Sequence, residues 1–325
     1  MEIDMGFNRE NYVKIKKEYE GKYLRAQDAA RLRRAEIHAR IPEIAKIDAA
    51  LAATGMRIFE ASLRGDNAEL SRIEAENSEL IQKRSELLIA EGFAADYTEI
   101  KYECDKCGDT GVVDYRMCSC MKEKLVMEGL KSSGMYSLIQ TQTFETFDLS
   151  YYSGEASDRM KKIFDIAKAY ADRFDPESSG SIIMMGGTGR GKTHLSSAMG
   201  GVIIKKGNDV YYTGAVDMLA DFESERFGND RSGEASSVTD KYFSCDLLII
   251  DDLGTELINQ FSTSCLYNVI NSRLTRKKAT IINTNFTRDE LRKKYQDRIT
   301  SRIFGEYTVL PFIGTDIREK KIFKK

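Results

Sequence analysis

The sequence predicts an α/β protein, in which a parallel β-sheet flanked by helices follows a helical N-terminal region and a small cysteine module. Three observations indicate this architecture. Short apolar runs alternate with amphipathic segments over residues 181–325, apolar residues recur at helical spacing over residues 1–95, and four of the six cysteines lie within residues 104–120. Strands that alternate with helices favour a parallel sheet, because the chain needs a crossover to return to the same edge.

The composition is that of a globular protein. A chain of 325 residues exceeds one ordinary hydrophobic core, so we expect more than one domain. The net charge of −2 gives no reason to expect tight nucleic-acid binding. No stretch approaches the roughly eighteen apolar residues of a membrane span, and the first residues lack the apolar core of a signal peptide. We therefore expect a cytoplasmic protein without membrane association, where clustered cysteines favour metal binding over disulfides.

Residues 1–95 are predicted to be almost entirely helical. A charged helix is expected around residues 8–40, and an antiparallel helical hairpin follows it. Residues 64–67, with the sequence RGDN, separate the two hairpin helices, since Gly65 can end the first and Asp66 can cap the second. The first helix is rich in Lys and Arg, which favours a solvated surface but leaves open a docking surface for a protein or nucleic acid.

Residues 96–125 contain the cysteine module, in which Cys104 and Cys107 are followed, ten residues later, by Cys118 and Cys120. A short hairpin can bring two such pairs to the corners of a tetrahedron, so the spacing favours a structural Zn²⁺ site with four thiolate ligands. An iron–sulfur cluster, a redox site and unliganded thiols are the alternatives. The two cysteines further along the chain are expected to be buried packing residues.

Residues 126–180 form a predicted connector. They include one amphipathic helical segment and end at residues 175–180, whose sequence DPESSG interrupts regular structure. The sheet domain over residues 181–325 is then expected to contain five strands, with helices between the first four. These strands are predicted at residues 181–185, 209–214, 246–251, 279–285 and 307–312.

The clearest motif is GGTGRGKT at residues 186–193, which fits the pattern G-x-x-x-x-G-K-[ST] of a phosphate-binding loop. It follows a predicted strand and precedes a predicted helix, as the motif requires. Its glycines let backbone N–H groups face phosphate oxygens, and the helix adds its positive N-terminal end. Lys192 can reach the β- and γ-phosphates, and Thr193 can ligate Mg²⁺. The predicted nucleotide-binding residues here are Gly186, Gly187, Thr188, Gly189, Arg190, Gly191, Lys192, Thr193 and His194.

Two acidic residues end a predicted buried strand in the segment LLIIDDLG, residues 247–254. The carboxyl ends of parallel strands are where ligands bind in such sheets. Asp251 is therefore expected to bind Mg²⁺, directly or through water, and Asp252 to orient or activate the attacking water. Glu256 is a second candidate for that role, and the alternative role for Asp252 is to cap the next helix.

Residues further along the chain can complete the site. Asn285 ends another predicted strand and can bond the γ-phosphate or the attacking water, whereas Asn283 is less favoured and turn formation is the alternative. Arg298 and Arg302 lie one helical turn apart, and Arg318 follows the last strand. A guanidinium can stabilise the charge of a transferring phosphate, although any single arginine can also be a solvated surface residue.

In this order and spacing, these motifs resemble those of the AAA+ class of P-loop ATPases, and more narrowly those of bacterial replicative helicase loaders of the DnaC/DnaI type. The resemblance covers about residues 100–320. GGTGRGKT and LLIIDDLG resemble the Walker A and Walker B motifs, and NTNF resembles the sensor I strand. By the same resemblance, DRITSRIFG implies Arg302 as arginine finger, and GTDIR implies Arg318 as sensor II residue. The cysteine module and FETFDL also look like loaders that carry zinc in an N-terminal helicase-binding domain.

The resemblance implies an ATPase that associates with the hexameric replicative helicase and places its ring on single-stranded DNA. ATP binding and hydrolysis would act as an assembly and release switch in an ATP-dependent homo-oligomer, and hydrolysis would be slow without a partner. The implied cofactors are ATP, Mg²⁺ and Zn²⁺, residues 1–95 would dock the helicase, and DNA contact would be weak. Two alternatives remain: an IstB-type ATPase helper of a transposase, and an adaptor that binds ATP without hydrolysing it.

Overall fold

The computed structural model describes residues 7–227 and 238–322. The chain divides into two compact units, of which one is formed by Ile15–Met121 and the other by the residues on either side of that segment. Among the described helices, none combines the length and the apolar character that crossing a membrane requires.

Three helices account for most of the N-terminal residues. Pro42 opens the second helix, where its missing N–H removes no intrahelical hydrogen bond. Gly65 ends that helix in the left-handed conformation with φ of 69°, and Asp66 caps the third by accepting the backbone N–H of Glu69. The predicted helical hairpin and the charged helix before it are confirmed. The helices are α1 (Arg9–Arg40), α2 (Pro42–Arg64) and α3 (Asn67–Ala90).

The cysteine module contains the hairpin that its spacing predicted. Strands β1 (Val112–Val113) and β2 (Arg116–Met117) pair antiparallel. The turn between them places Asp114 and Tyr115 at positive φ. Helix α4 (Ser119–Ser132) begins between the last two cysteines, so the hairpin returns the chain directly to them.

A five-stranded parallel sheet forms the centre of the other unit. Its spatial order is β4-β5-β6-β3-β7. The strands are short and mostly apolar, and the three central strands are almost fully buried, as expected when helices cover both faces of a sheet. All five predicted strands are confirmed. They are β3 (Ser181–Met185), β4 (Val210–Gly214), β5 (Leu247–Leu253), β6 (Ala279–Thr284) and β7 (Tyr307–Pro311).

Helices cover both faces of this sheet. Alternate residues of a strand point to opposite faces, so Ile182 and Met184 pack in one apolar cluster while Ile183 and Met185 pack in another. The helices of this unit after α4 are α5 (Tyr136–Ile139), α6 (Glu155–Asp172), α7 (Lys192–Lys205), α8 (Ala215–Phe227), α9 (Asp240–Ser244), α10 (Gln260–Thr275), α11 (Arg288–Glu306) and α12 (Ile317–Ile322).

The strand order places the predicted site residues together. β3 lies between β6 and β7, and the chain leaves β3 to build β4 at the far edge. The phosphate loop follows β3, the two aspartates end β5, and Asn285 follows β6. The five strands of this sheet are all parallel, so their carboxyl ends meet at one edge, where such sheets bind ligands.

Candidate functional site

A cavity of about 290 Å³ opens at the carboxyl ends of the strands. It gathers residues that are far apart in the sequence, from the phosphate loop, the end of β5, the end of β6 and α12. Of the residues predicted for the site, those that line it are Thr188, Gly189, Arg190, Gly191, Lys192, Thr193, His194, Asp252, Asn285 and Arg318.

Three glycines of the phosphate loop, Gly186, Gly189 and Gly191, have positive φ and no room for a Cβ atom. Gly186 has φ of 146°, and a Cβ atom there would lie 2.2 Å from the carbonyl oxygen of Phe312. At Gly189, with φ of 71°, a Cβ atom would lie 1.7 Å from the carboxylate of Asp316. Arg190 Nη1 donates to the same Phe312 oxygen at 3.0 Å. The loop is thus held against the segment that follows β7.

Lys192 lies buried at the base of the loop. Its Nζ donates to the carbonyl oxygens of Gly186 at 2.6 Å and Gly187 at 2.9 Å, and to Asn285 Oδ1 at 2.7 Å. Burial lowers the pKa of Lys192 to about 8, against the opposing effect of the neighbouring Asp252 carboxylate. One ammonium group therefore joins the loop to the residue that follows β6. Gly186 and Gly187, which do not line the cavity, contact it only through their carbonyl oxygens on Lys192.

Asp251 does not line the cavity but lies directly behind it, buried and bonded by four donors. Thr193 Oγ1 donates to its Oδ2 at 2.9 Å, and the hydroxyl of Tyr212 donates to the same oxygen. Asn283 Nδ2 donates to Oδ1 at 2.9 Å, as does the backbone N–H of Asp252 at 3.1 Å. The carboxylate is thus adjacent to the hydroxyl predicted to ligate Mg²⁺.

Asp252 reaches the cavity because its backbone adopts the left-handed conformation, with φ of 52°. For a residue other than glycine this costs about 1–3 kcal/mol, and such strain is concentrated at functional sites. Its Oδ1 accepts Asn285 Nδ2 at 3.2 Å. The alternative of a helix cap is wrong for Asp252, because Asn259 caps α10.

Glu256 is placed differently from Asp252. Its carboxylate is buried outside the cavity lining, where it accepts the backbone N–H of Gly254 at 2.9 Å and the hydroxyl of Tyr295. Both acceptor oxygens are engaged in fixing the loop after β5. Of the two candidates for the attacking water, only Asp252 faces the cavity.

The arginines divide between the cavity and another surface. Arg318 lines the cavity. Arg298 and Arg302 lie over the ring of Tyr267 at 4.8 and 5.4 Å, and Arg302 Nη2 donates to the Tyr267 hydroxyl at 3.2 Å. Neither of these two lines the cavity of its own chain.

An aromatic wall closes one side of the cavity, and sequence reasoning gave it no role in the site. Phe147, Tyr151 and Tyr152 line this side. Tyr152 donates its hydroxyl to the backbone oxygen of Arg190 at 2.9 Å, and Phe147 packs edge-on against His194 at 5.2 Å. The sequence signal for this wall is the cluster of aromatic residues at 144–152, upstream of the phosphate loop. The sequence alone does not show that these rings face the cavity.

The four cysteines of the module converge in the structure. Their sulfur atoms all lie within 4.8 Å of one another. Cys104 and Cys118 sulfurs are 4.0 Å apart, and those of Cys107 and Cys120 are 3.6 Å apart. Four thiolates bound tetrahedrally at about 2.3 Å from Zn²⁺ would be separated by about 3.8 Å. The cluster therefore fits a tetrahedral metal ion with four sulfur ligands.

Neighbouring groups fix the backbone and one sulfur of this cluster. Asp109, buried and with φ of 57°, accepts the backbone N–H groups of Glu103 and Cys104, both at 2.9 Å. The hydroxyl of Tyr19 on α1 bonds Cys120, and burial raises the pKa of Tyr19 above its usual range. Such outer contacts orient ligands in metal sites.

The other two cysteines lie outside this cluster. Cys245 is buried and accepts a hydrogen bond from Arg273 Nη1 at 3.4 Å, as expected of a packing residue. Cys265 is only half-buried, so the expectation of burial is wrong for it, because it lies on a partly exposed face of α10.

Comparison with known proteins identifies the family. The family described as IstB-like ATP binding protein matches residues 124–311, which is more than half of the chain. The chain belongs to this family. The matched residues include the phosphate loop, both aspartates and Arg302, whereas Arg318 and the four cysteines lie outside the match.

The relatives of this IstB-like chain include replicative helicase loaders. It is 25% identical over 174 residues to the replicative helicase loader DnaC of Buchnera aphidicola subsp. Schizaphis graminum, which is 54% of this chain and 68% of the relative. A Bacillus thuringiensis protein of insertion sequence IS232 is 29% identical over 154 residues, or 46% of this chain and 60% of that protein. A crystal structure of the DnaC helicase loader has a TM-score of 0.46 and 21% identity, over 54% of this chain and 98% of that one.

Proposed function

We propose that this chain is a cytoplasmic, ATP-dependent loader that places the replicative DNA helicase on single-stranded DNA in replication initiation or restart. The observation that carries the proposal is the cavity where Lys192, Asp252 and Arg318 converge. It belongs to a chain of an ATP-binding family whose relatives include replicative helicase loaders.

Different residues of the site would bind the phosphates and the Mg²⁺ of ATP. The phosphate loop would surround the phosphates with backbone N–H groups, and Lys192 would contact the β- and γ-phosphates. Thr193 and Asp251 would hold Mg²⁺, whose charge neutralises the phosphate oxygens. The side chains of Thr193 and Asp251 already meet at 2.9 Å, which supports this assignment.

Asp252 would orient the water that attacks the γ-phosphate. Asn285 supports this role because its amide bonds both Asp252 and Lys192, and so connects the water-orienting group to the phosphate-binding group. Arg318, which also lines the cavity, would contact the phosphates. The chain would then be an ATPase that converts ATP to ADP and phosphate.

Arg302 would act on a neighbouring copy of the chain. It lies outside the cavity of its own chain, held on the ring of Tyr267. A guanidinium supplied by a neighbour makes hydrolysis depend on assembly. We therefore expect slow hydrolysis by the isolated chain and faster hydrolysis in an ATP-dependent oligomer, which makes nucleotide state a switch between assembly and release.

The N-terminal residues would bind the helicase. The helices of residues 1–95 and the Zn²⁺ held by the four cysteines would form a rigid docking element, because a small module with few core residues is stabilised by its metal. Contact with single-stranded DNA would be weak and sensitive to salt, given a net charge of −2.

A second candidate function follows from the family and from one relative. The family carries the IstB-like description, and a protein of insertion sequence IS232 is 29% identical over 154 residues. The alternative is an ATPase that assists a transposase on duplex DNA.

An adaptor that binds ATP without hydrolysing it is a third candidate. An ATPase assay with helicase and single-stranded DNA tests it, because the absence of hydrolysis there would favour the adaptor.

Size-exclusion chromatography separates the two partner classes. The full chain is mixed with the replicative helicase of its own source, with ATP and Mg²⁺, and run beside a sample with ADP. The proposal predicts co-elution that depends on ATP. Separate elution from the helicase, combined with ATP-dependent filaments on duplex DNA, would contradict the loader function and favour the transposase helper.

A further inference from the structure

Among the residues that the structure describes, Tyr212 is the one side chain outside the motifs above that donates to Asp251. It lies on β4, the edge strand, where Tyr212 pairs with Ile249 and Gly214 pairs with Asp251. Gly214 places no side chain of β4 beside Asp251, and a Cβ atom there would lie 3.1 Å from the Asp217 carboxylate. The Tyr212 side chain extends along this face, and its hydroxyl donates to Oδ2 of Asp251.

The two oxygens of Asp251 have different donors. Oδ1 accepts the amide of Asn283 and the backbone N–H of Asp252. Oδ2 accepts two hydroxyls, those of Thr193 and Tyr212. Thr193 can ligate Mg²⁺ through a lone pair and still donate its O–H to Oδ2. Tyr212 is therefore the donor to Oδ2 that is not itself a predicted metal ligand.

Both the backbone and the ring of Tyr212 are held by their neighbours. Its backbone N–H donates to the carbonyl oxygen of Ser133 at 2.9 Å. A Cβ atom at Gly134, which has φ of 73°, would lie 2.9 Å from the Tyr212 carbonyl oxygen, so this segment packs tightly on the edge strand. The ring is half-buried against the apolar cluster that contains Leu195 and Ile249. Little movement is available to the hydroxyl.

We propose that Tyr212 is a positioning residue, whose hydroxyl holds the Asp251 carboxylate in the orientation that binds Mg²⁺ with the nucleotide. A neutral donor suits this role, because it fixes the carboxylate without cancelling the negative charge that attracts the cation. A Lys or Arg at the same place would compete with the ion for that charge. The inference rests on the proposed nucleotide site.

The test measures metal dependence rather than turnover. Binding of a fluorescent ATP analogue to the full chain is titrated with Mg²⁺, for the wild type and for Tyr212→Phe, which keeps the ring and removes the hydroxyl. Loss of a group that orients a metal ligand commonly weakens metal affinity about 10–100-fold. We expect the Mg²⁺ midpoint to rise about 10-fold or more, while analogue affinity in EDTA stays unchanged.

Tyr211→Phe is the matched control. Tyr211 is the adjacent residue on the same strand, but its ring faces the other side of the sheet, edge-on to Tyr242 at 5.5 Å. The same hydroxyl is removed from the same strand, yet the Mg²⁺ midpoint should not move. Tyr212→Leu, a second variant that lacks the hydroxyl, should show the same shift as Tyr212→Phe.

Failure of the inference is distinguishable from failure of the proposed function. If the wild type binds the analogue with Mg²⁺ and both Tyr212 variants keep its midpoint, Tyr212 has no positioning role while the nucleotide site stands. An equal shift in Tyr211→Phe would also overturn the inference, because the effect would then come from general loosening of β4. Absence of analogue binding by the wild type would instead overturn the proposed function.

Discussion

The ammonium of Lys192 is held by three oxygen atoms, two from the phosphate loop and one from Asn285. The geometry keeps a positive charge at the base of the cavity, where it can exchange these partners for phosphate oxygens. Asn285 also connects this ammonium to Asp252, because its amide nitrogen donates to Asp252 Oδ1. Loss of the charge should therefore affect binding more than it affects the fold.

We predict that Lys192→Ala abolishes ATP binding while helicase docking through residues 1–125 persists. Truncating one partner of a buried, hydrogen-bonded charge pair costs about 2–5 kcal/mol, or roughly 30-fold in affinity and more. Equilibrium titration with a fluorescent ATP analogue measures the change. Lys205→Ala, an exposed lysine at the end of the same helix, is the control and should bind normally. Unchanged affinity in Lys192→Ala would refute the phosphate-loop assignment.

Replacing Asp252 and replacing Glu256 should have different effects, the first on hydrolysis and the second on stability. Asp252→Asn should retain ATP binding and lose hydrolysis, because only Asp252 faces the cavity. Glu256→Ala should lower stability by about 1–3 kcal/mol, because it leaves the buried Gly254 N–H and Tyr295 hydroxyl without their acceptor. Phosphate release and thermal melting are the two measurements. Full hydrolysis by Asp252→Asn would contradict the assignment.

Arg302→Ala should bind nucleotide normally and lose the hydrolysis that assembly stimulates. An arginine that reaches a neighbour's phosphates contributes about 10³–10⁵ in rate, so stimulated turnover should fall by roughly a thousandfold or more. Phosphate release is measured over a range of protein concentrations. Arg298 lies over the same Tyr267 ring, so Arg298→Ala is the comparison variant. If Arg302→Ala hydrolyses normally and Arg298→Ala does not, the finger is Arg298.

At the residue scale, the sequence identified groups whose chemistry is local to a motif. The phosphate loop and Asn285 follow strands directly and Asp252 lies near the end of one, so their convergence needed only a parallel sheet. The hydrogen bond from Tyr212 to Asp251 depends on the register between β4 and β5, in which Tyr212 lies opposite Ile249 and Gly214 opposite Asp251. A single sequence does not contain that register, so Tyr212 was not predictable from it.

At the element scale, the cysteine hairpin is the part whose shape depends most on a ligand. Its strands contain only two residues each, and both are largely exposed. Two-stranded hairpins of this size are marginal alone. The hairpin has too few buried apolar residues to be stable alone. A metal ion bound by the four sulfur atoms, which lie within 4.8 Å of one another, would supply the missing stability. We therefore expect the metal to stabilise this element.

Elemental analysis should find about one zinc per chain. The double substitution of Cys104 and Cys107 by serine should remove it and lower the melting temperature, because metal binding and folding are coupled in small modules. ATP binding should be retained, since no cysteine lines the cavity. Cys265→Ser, outside the cluster, should keep the zinc. Chains purified under metal-replete conditions without zinc, or with iron in its place, would contradict the assignment.

Strands and helix caps were predictable because their signals are local. Uninterrupted apolar runs predicted the strands, and the pair Gly65 and Asp66 predicted the helical hairpin. The spatial order of the strands was not predictable, because β3 pairs with β6 and β7 through contacts about a hundred residues apart in the sequence. The side of the sheet that each helix covers follows from that order.

At the scale of the whole molecule, the chain combines two compact units with different chemistry. One carries the cysteine cluster on helical and hairpin elements, and the other carries the cavity at the edge of a parallel sheet. The family match covers residues of the second unit, and the first unit lies outside the match. In the proposed function, the first unit binds the helicase and the second unit binds and hydrolyses ATP.

The central claim is that this chain opens or stabilises the replicative helicase ring on single-stranded DNA. The most direct measurement is the amount of helicase bound to covalently closed, circular single-stranded DNA, which a closed ring cannot thread. With ATP and Mg²⁺, the wild-type chain should raise this amount several-fold, and Lys192→Ala should not. Equal binding of the helicase with and without the wild-type chain, under conditions where the chain binds ATP, would contradict the loader function.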